Sequence, residues 1–300
     1  MESFTTYEKH NYFSISMSDY DGNFFDNKDA YGLRLILLLI EGEAGMAILN
    51  GKSVPYITPC VFCINEQEHI LISEANDSRV RAIYFHPNII NSGLDFENIR
   101  ELPKDVSVTF MQDCGLVQYF VHKDCNFIGK FNLGPLSIKK FTILFDGIHR
   151  LIHEQVDENW PCRSRSYLME ILFLLDNLYM NQNFFHELYI ESVEEDFSPI
   201  LLYIYNNYDK KITVQDITMK FFVSRTTLSK MFQLNVGQSF LSYLNKMRIA
   251  MASTMLRDTL LPINEIMLRV GFYDNAHFLR MFKKHTGMSP SMYREKYNWM

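Results

Sequence analysis

The chain has no apolar run long enough to cross a bilayer. Its most apolar stretches, Leu33–Ile40 and Leu168–Leu175, are broken by Arg34 and Glu170 and fall far short of the ~18 residues a spanning helix needs. The first residues, from Met1 to Thr5, do not show a basic segment followed by an apolar one, so no secretory signal is read there. Cysteine is scarce. The five present (Cys60, Cys63, Cys114, Cys125 and Cys162) are an odd number in a long chain and imply no disulfide framework. No low-complexity tract occurs. These absences predict a soluble, cytoplasmic protein with no membrane partner. Positive charge is also short overall, with a formal net charge of −6, which taken alone argues against a polyanionic partner.

The distribution of charge says otherwise. Residues 196–300 hold 14 Lys and Arg against 7 Asp and Glu, a net of +7, whereas residues 1–195 carry a net of −13. An acidic module fused to a basic one points to a polyanion partner for the basic half. A length of 300 residues is enough for two medium domains, each with its own core.

The acidic half begins as β-structure. Residues 12–18 alternate in polarity over most of their length, and short runs follow at Val61–Ile64, His69–Ser73 and Arg79–Phe85. Ala44–Leu49 and Ser53–Ile57 flank Asn50 and Gly51, a pair suited to a hairpin turn that needs positive φ at both central positions. Short strands between turn residues fit a small barrel or jelly roll. From Leu136 the period becomes helical. Ile138, Phe141, Leu144, Phe145, Ile148, Leu151 and Ile152 mark one stripe. After a break at Pro161, Tyr167, Leu168, Ile171, Leu172, Leu175 and Leu178 mark another. The division expected is a β domain over 1–135, a dimerising helical pair over 136–190, an acidic linker over 191–197 and an all-α domain over 198–300. Ser198 and Pro199 suit the N-cap and first position of the next helix.

Within 198–300 two helix-turn-helix units are legible, over 214–232 and 263–282, joined by a long helix from Ser239 to about Leu256. Leu228, Met231 and Phe232 form the apolar back of the first reading helix, leaving Arg225, Thr226, Ser229, Lys230 and Gln233 outside. Phe278, Met281 and Phe282 do the same in the second, leaving Asn275, Ala276, His277, Arg280, Lys283 and Lys284 outside. Such a helix fits the major groove, where Arg can grip guanine and Asn adenine with paired hydrogen bonds. The lysines toward the C-terminal end are better placed for phosphate.

The residues from Gly271 to Arg294, with Phe272, Asn275, Ala276, Phe278, Arg280, Phe282, Gly287, Pro290 and Tyr293, closely resemble the C-terminal signature of the AraC/XylS family of bacterial transcription regulators. Ser224, Leu228, Phe232, Gly237, Tyr243 and Arg248 stand in matching places of the first half. The resemblance covers about residues 198–297. It implies a transcription factor on double-stranded promoter DNA, usually an activator that contacts RNA polymerase. Carried over by position, base-facing roles fall on Thr226, Ser229 and Lys230, and on Asn275, Ala276, His277 and Arg280. There are departures. Phe222 stands where the family often has the turn glycine of the first unit, although Gly271 keeps it in the second. Thr218 and Met267 replace the usual alanines, and Leu279 takes a usually polar outward position.

Many relatives of this type place a cupin-like barrel and a helical pair ahead of the DNA-binding domain, with an effector in the barrel and the helices dimerising. The acidic half has that layout and is expected to sense a small-molecule effector, to form a homodimer, or both. The cupin motif itself is poor here. Ile40–Gly45 followed by Asn50 and Gly51 is similar, but of the usual histidines only His69 lies near an expected place, so no metal, cofactor or catalytic residue is assigned. Cys60 and Cys63 have metal-ligand spacing without a second pair, and core packing is favoured for them. His149 and His153, one helical turn apart, amount to half a metal site with no third ligand that the sequence can name, and a solvated helix face is favoured. Aromatic residues near the strands (Phe13, Tyr20, Phe24, Phe25, Tyr31, Tyr56, Phe62, Tyr84 and Phe85) suit either an effector pocket or plain core. The rival reading is a cupin-type enzyme of small-molecule metabolism fused to a DNA-binding module, and it lacks a nucleophile–base pair.

Overall fold

The structure, a computed structural model, describes residues 5–6, 14–28, 34–73, 78–124, 127–180 and 193–298. Phe13, Tyr31, Cys125 and residues 181–192 lie outside that set, and with them part of the first predicted strand and the start of the acidic stretch. The described residues are of mixed α and β structure and divide into two compact units. One is drawn from 1–42, 59–132 and 138–181, the other from 43–58, 133–137 and 182–300.

The first unit is built on a five-stranded antiparallel sheet. Across it run Lys130–Asn132, Cys60–Ile64, Leu35–Glu41, Arg79–Phe85 and Met17–Gly22. Leu35–Glu41 is the central strand, and Leu35 through Ile40 are all buried. A strand covered on both faces is apolar throughout and shows no period, which is why its sequence reads only as an apolar run. Phe25–Asp26 pairs separately with Ile70–Ile72. Among the described residues the outer strands of the five-stranded sheet do not pair with each other, so the ladder is open where a closed barrel was expected.

Among the described residues, four α-helices belong to this unit: α1 (Val108–Gly115), α2 (Gln118–Val121), α3 (Pro135–Glu154, of which 135–137 group with the second unit) and α4 (Trp160–Met180). The two predicted helical stripes lie on α3 and α4. Phe141, Leu144, Phe145, Ile148, Leu151 and Ile152 on α3 are buried, as are Leu168, Ile171, Leu172, Leu175 and Leu178 on α4. Pro161 sits in the first turn of α4, where its missing N–H costs nothing, and so does not interrupt the helix. Arg81 reaches from the sheet to Glu41 and to Asp146 on α3. Cys60 and Cys63 are fully buried in the sheet, and burial pushes the Cys60 thiol up to about 12, the behaviour of apolar filling rather than of a reactive thiol. Of the described aromatic candidates, Phe25, Tyr56, Phe62, Tyr84 and Phe85 are core, while Phe24 is exposed.

The second unit opens with the hairpin Gly45–Leu49/Lys52–Tyr56. Its turn residues Asn50 and Gly51 both have positive φ, 51° and 78°, the conformation the sequence predicts for them. Among the described residues, seven helices follow: α5 (Ser198–Tyr205), α6 (Val214–Phe221), α7 (Arg225–Val236), α8 (Phe240–Asp258), α9 (Ile263–Arg269), α10 (Asn275–Thr286) and α11 (Pro290–Tyr297). The hairpin docks on α5: Ala44, Met46 and Ile57 share a core with Ile200, Leu201 and Ile204, and the Ala44 N–H donates to Asn206 Oδ1 at 3.1 Å. Val193 and Phe197, from the acidic stretch, are buried in the same core, and the Val193 N–H donates to Ser53 O. The N-cap of α5 is Phe197, so Ser198 lies one residue inside the helix, with Pro199 still in its first turn. Ser137 Oγ and N–H both donate to Asp258 Oδ2 (2.7 and 3.2 Å), which fastens residues 133–137 to the end of α8.

Candidate nucleic-acid interface

Helix α8 is the rod on which both helix-turn-helix units are built. Its 19 residues span about 28 Å at 1.5 Å per residue. Phe240, Tyr243, Leu244 and Met247, from its first half, join the core of the first helix-turn-helix with Ile217, Leu228 and Phe232. Ile249, Ala252 and Leu256, from its second half, join the core of the other with Ile266, Phe278 and Phe282. One helix thus serves two cores end to end. Edge-to-face and tilted ring contacts fix each reading helix in depth: Phe232 against Phe197 and Phe240, Phe282 against Phe278 and Tyr293. Aromatic pairs at such spacings add directionality to the burial of apolar area.

Each reading helix is capped by a side chain that sequence reasoning did not single out for that task. Ser224 accepts from the Thr227 N–H at the start of α7, and Asp274 accepts from the His277 N–H at the start of α10. The preceding α6 has a full capping box, in which Thr213 and Asp216 bond each other's backbone. Those Thr213 hydrogen bonds also hold the Asp216 carboxyl below its ordinary range. Caps of this type contribute about 1 kcal/mol each.

With the buried residues pinned by α8, the opposite faces are set. Arg225, Thr226, Ser229, Lys230 and Gln233 are exposed on α7. Asn275, Ala276, Arg280, Lys283 and Lys284 are exposed on α10, and His277 is half-buried with its ring edge-on to Phe272. Neither α7 nor α10 contains an acidic residue, so each presents an uncompensated cationic face. Leu279 is 40% exposed on the same side as Arg280, and Met267 is buried in the core of the second unit.

The two turns use the same backbone conformation with different residues. Helix α6 ends at Phe222 with φ 54° and ψ 36°, and the turn after α9 places Gly271 at φ 85°. In both, the following N–H closes back on the helix, Val223 to Thr218 O and Phe272 to Met267 O. What separates them is space. A Cβ on Gly271 would lie 2.8 Å from the carbonyl oxygens of both Tyr208 and Asp209 and 3.0 Å from Arg248 Cζ, whereas Phe222 is 95% exposed. Phe222 therefore carries only the left-handed backbone penalty of ~1–2 kcal/mol and loses no packing. Phe222→Gly is accordingly expected to stabilise the protein by ~1 kcal/mol, part of the gain being returned to the greater entropy of unfolded glycine. Chemical denaturation of the full chain checks this, and a variant less stable than the parent would show that the ring makes contacts worth more than the strain.

Arg248 ties the two helix-turn-helix units together. It lies in the middle of α8, largely buried, with Nε donating to Tyr208 O and Nη2 to Lys210 O, both at 2.7 Å, and its guanidinium 5.8 Å from the Phe272 ring centre. Burial lowers its pKa from the ordinary arginine value. The bonded carbonyls belong to the loop before α6, and Phe272 belongs to the turn before α10. One side chain therefore sets the spacing of two loops that precede the two readers. An arginine among the apolar positions of a long helix is the sequence signal of this role.

Comparison with known proteins agrees with this geometry. Residues 217–296 match the helix-turn-helix domain family. An uncharacterised HTH-type transcriptional regulator, YijO, of Escherichia coli K12 is 35% identical over 102 residues, which are 34% of this chain and 36% of that protein. The lactose operon transcription activator of Staphylococcus xylosus is 33% identical over 134 residues, 44% of this chain and 47% of the activator. The arabinose operon regulatory protein of Escherichia coli K12 is 36% identical over 86 residues, 29% of this chain and 30% of that regulator. The match therefore spans about a third to a half of the length of these relatives.

Proposed function

This chain belongs, through its C-terminal domain, to the AraC/XylS family of regulators, and from that premise we propose that the whole protein is a sequence-specific, promoter-binding transcription regulator, in the activating mode that contacts RNA polymerase. The observation that carries the reading is the pair of acid-free, cation-bearing faces of α7 and α10, each backed by a core that shares α8. A rod of about 28 Å is close to the ~34 Å between successive major-groove faces on one side of B-DNA, and a modest bend in the site would close the difference. Within this reading Thr226, Ser229, Lys230, Asn275, Ala276, His277 and Arg280 face bases, Arg225 lies on the same DNA-facing surface, and Lys283 and Lys284 face phosphate. The rival reading of a barrel enzyme gains nothing from the matched relatives, which are regulators.

The N-terminal region is proposed as a cupin-like effector and pairing domain. Support for an effector comes from a cavity of about 280 Å³ lined by Asn27, Lys28, Arg34, Ile36, Asn65 and His69 together with Gln67, Glu66 and Glu68, the two carboxylates pairing with Arg100 and Lys123 respectively. The Arg34 guanidinium is buried there, its Nη1 and Nη2 have no hydrogen-bond partner among the described residues, and its carbon lies 4.9 Å from the Tyr84 ring centre. A buried cation without a partner is costly, and a small anionic molecule would satisfy it. Support for pairing is narrower than the sequence suggests, because the stripe residues of α3 and α4 are consumed by their own core. Ile143 and Phe173, exposed on those helices, are the apolar surface left for a second copy.

The experiment that tests the proposal is selection of genomic fragments by the full chain, followed by sequencing. Retained fragments are expected to lie upstream of genes and to share a bipartite motif with half-sites about one helical turn apart. Fragments scattered without a shared motif would contradict sequence-specific regulation.

A further inference from the structure

We propose that Asp19, His149 and His153 form a binding site for a divalent transition metal of the zinc class on the first unit. The two histidines are four residues apart on α3, so their imidazoles leave the same face one turn apart. Asp19 comes from the strand Met17–Gly22, at the edge of the sheet. No sequence spacing connects it with the histidines, 130 and 134 residues away. Both rings turn to this one carboxylate. His149 Nδ1 lies 2.5 Å from Oδ2 and His153 Nε2 lies 3.1 Å from Oδ1. The ring centres are 4.4 Å apart, and the three ligand atoms all fall within 4.8 Å of one another.

The donor set selects the ion. Two imidazole nitrogens and one carboxylate oxygen suit zinc and its first-row neighbours, rather than magnesium or calcium, which take oxygen, or copper(I), which takes sulfur. Zinc bonds of about 2.0–2.2 Å at tetrahedral angles place ligand atoms about 3.3 Å apart. The carboxylate–imidazole contacts would therefore lengthen by less than an ångström as an ion enters. The moving parts are free to do this: the Asp19 side chain is only 8% exposed and acts as a fixed platform, whereas His149 and His153 are 52% and 58% exposed. Three protein ligands leave a fourth position open to water or to a small anion, and the bound ion would clip α3 to the edge strand.

The test uses the untagged full chain, stripped by a chelator and titrated with Co²⁺ and then Zn²⁺. The expected result is one equivalent of Co²⁺ with the intense visible bands of a four-coordinate ion, displaced by Zn²⁺. His149→Ala and His153→Ala should each weaken Zn²⁺ binding by about 100-fold or more, by loss of one of three ligands, and the double variant should bind none. Both side chains are exposed, so these variants keep the fold, which circular dichroism verifies. Asp19→Asn, if it folds, should also lose the four-coordinate spectrum. A double histidine variant that binds Zn²⁺ as tightly as the parent, or a parent that shows only the weak spectrum of six-coordinate Co²⁺, overturns the site. DNA binding by the same preparations is read separately, so retained DNA binding with no metal bound rejects the metal site alone.

Discussion

Gly271→Val is expected to destabilise the second unit by ~2–5 kcal/mol, the largest effect of any single substitution in either helix-turn-helix turn. Two costs add. A β-branched residue at φ 85° pays the left-handed penalty of ~1–2 kcal/mol or more. Its Cβ must also displace the carbonyl oxygens of Tyr208 and Asp209 from 2.8 Å, and these are backbone atoms in a loop whose Tyr208 and Lys210 carbonyls are held by Arg248. Overpacking of that kind costs a further ~1–3 kcal/mol. Urea unfolding of the full chain should show the transition of the second unit at a much lower midpoint with little change of slope. A loss below ~1 kcal/mol would mean that the loop yields freely and that Arg248 does not fix it. The contrast with Phe222, which has the same backbone conformation in open solvent, isolates the steric part.

The affinity of the full chain for its selected DNA site is expected to fall by about 10³-fold or more between ~50 and ~200 mM salt, given about six phosphate contacts. Lys283 and Lys284 on α10, with the other cations of a region that holds 14 Lys and Arg and a net charge of +7, make such a number reasonable. Fluorescence anisotropy at stepped salt concentrations measures the slope. Affinity that is flat across the range would show that the cationic faces do not meet phosphate.

The C-terminal helices were legible because each is amphipathic, with one buried and one wet face, and because short polar caps and left-handed turns punctuate them. Even the doubtful turn at Phe222 could be located from sequence, since a residue between two helical periods had to take the turn conformation. The acidic half was less legible for a physical reason. Leu35–Glu41 is buried on both faces and so shows no alternation, although it is the central strand. The docking of the hairpin 45–56 on α5 left no mark either, because Ala44, Met46 and Ile57 look like ordinary strand residues until Ile200 and Ile204 are seen beside them. Open and closed sheets cannot be told apart by strand patterns, and where the sequence suggests a small barrel or jelly roll the described residues show a five-stranded ladder whose outer strands do not pair with each other. His149 and His153 were visible as a helical pair, but Asp19 could be joined to them only in three dimensions.

The central claim is that α10 reads bases while the lysines behind it hold phosphate. It is tested most directly by competition binding of the full chain and two variants against single-base changes in the selected site. Arg280→Ala is expected to cost ~1–3 kcal/mol and to relax base preference at one position. Lys283→Ala should weaken binding to all sequences alike and lower the salt slope by about one. If Arg280→Ala leaves both affinity and base preference unchanged, α10 is not the reader and the assignment of its outer face is wrong.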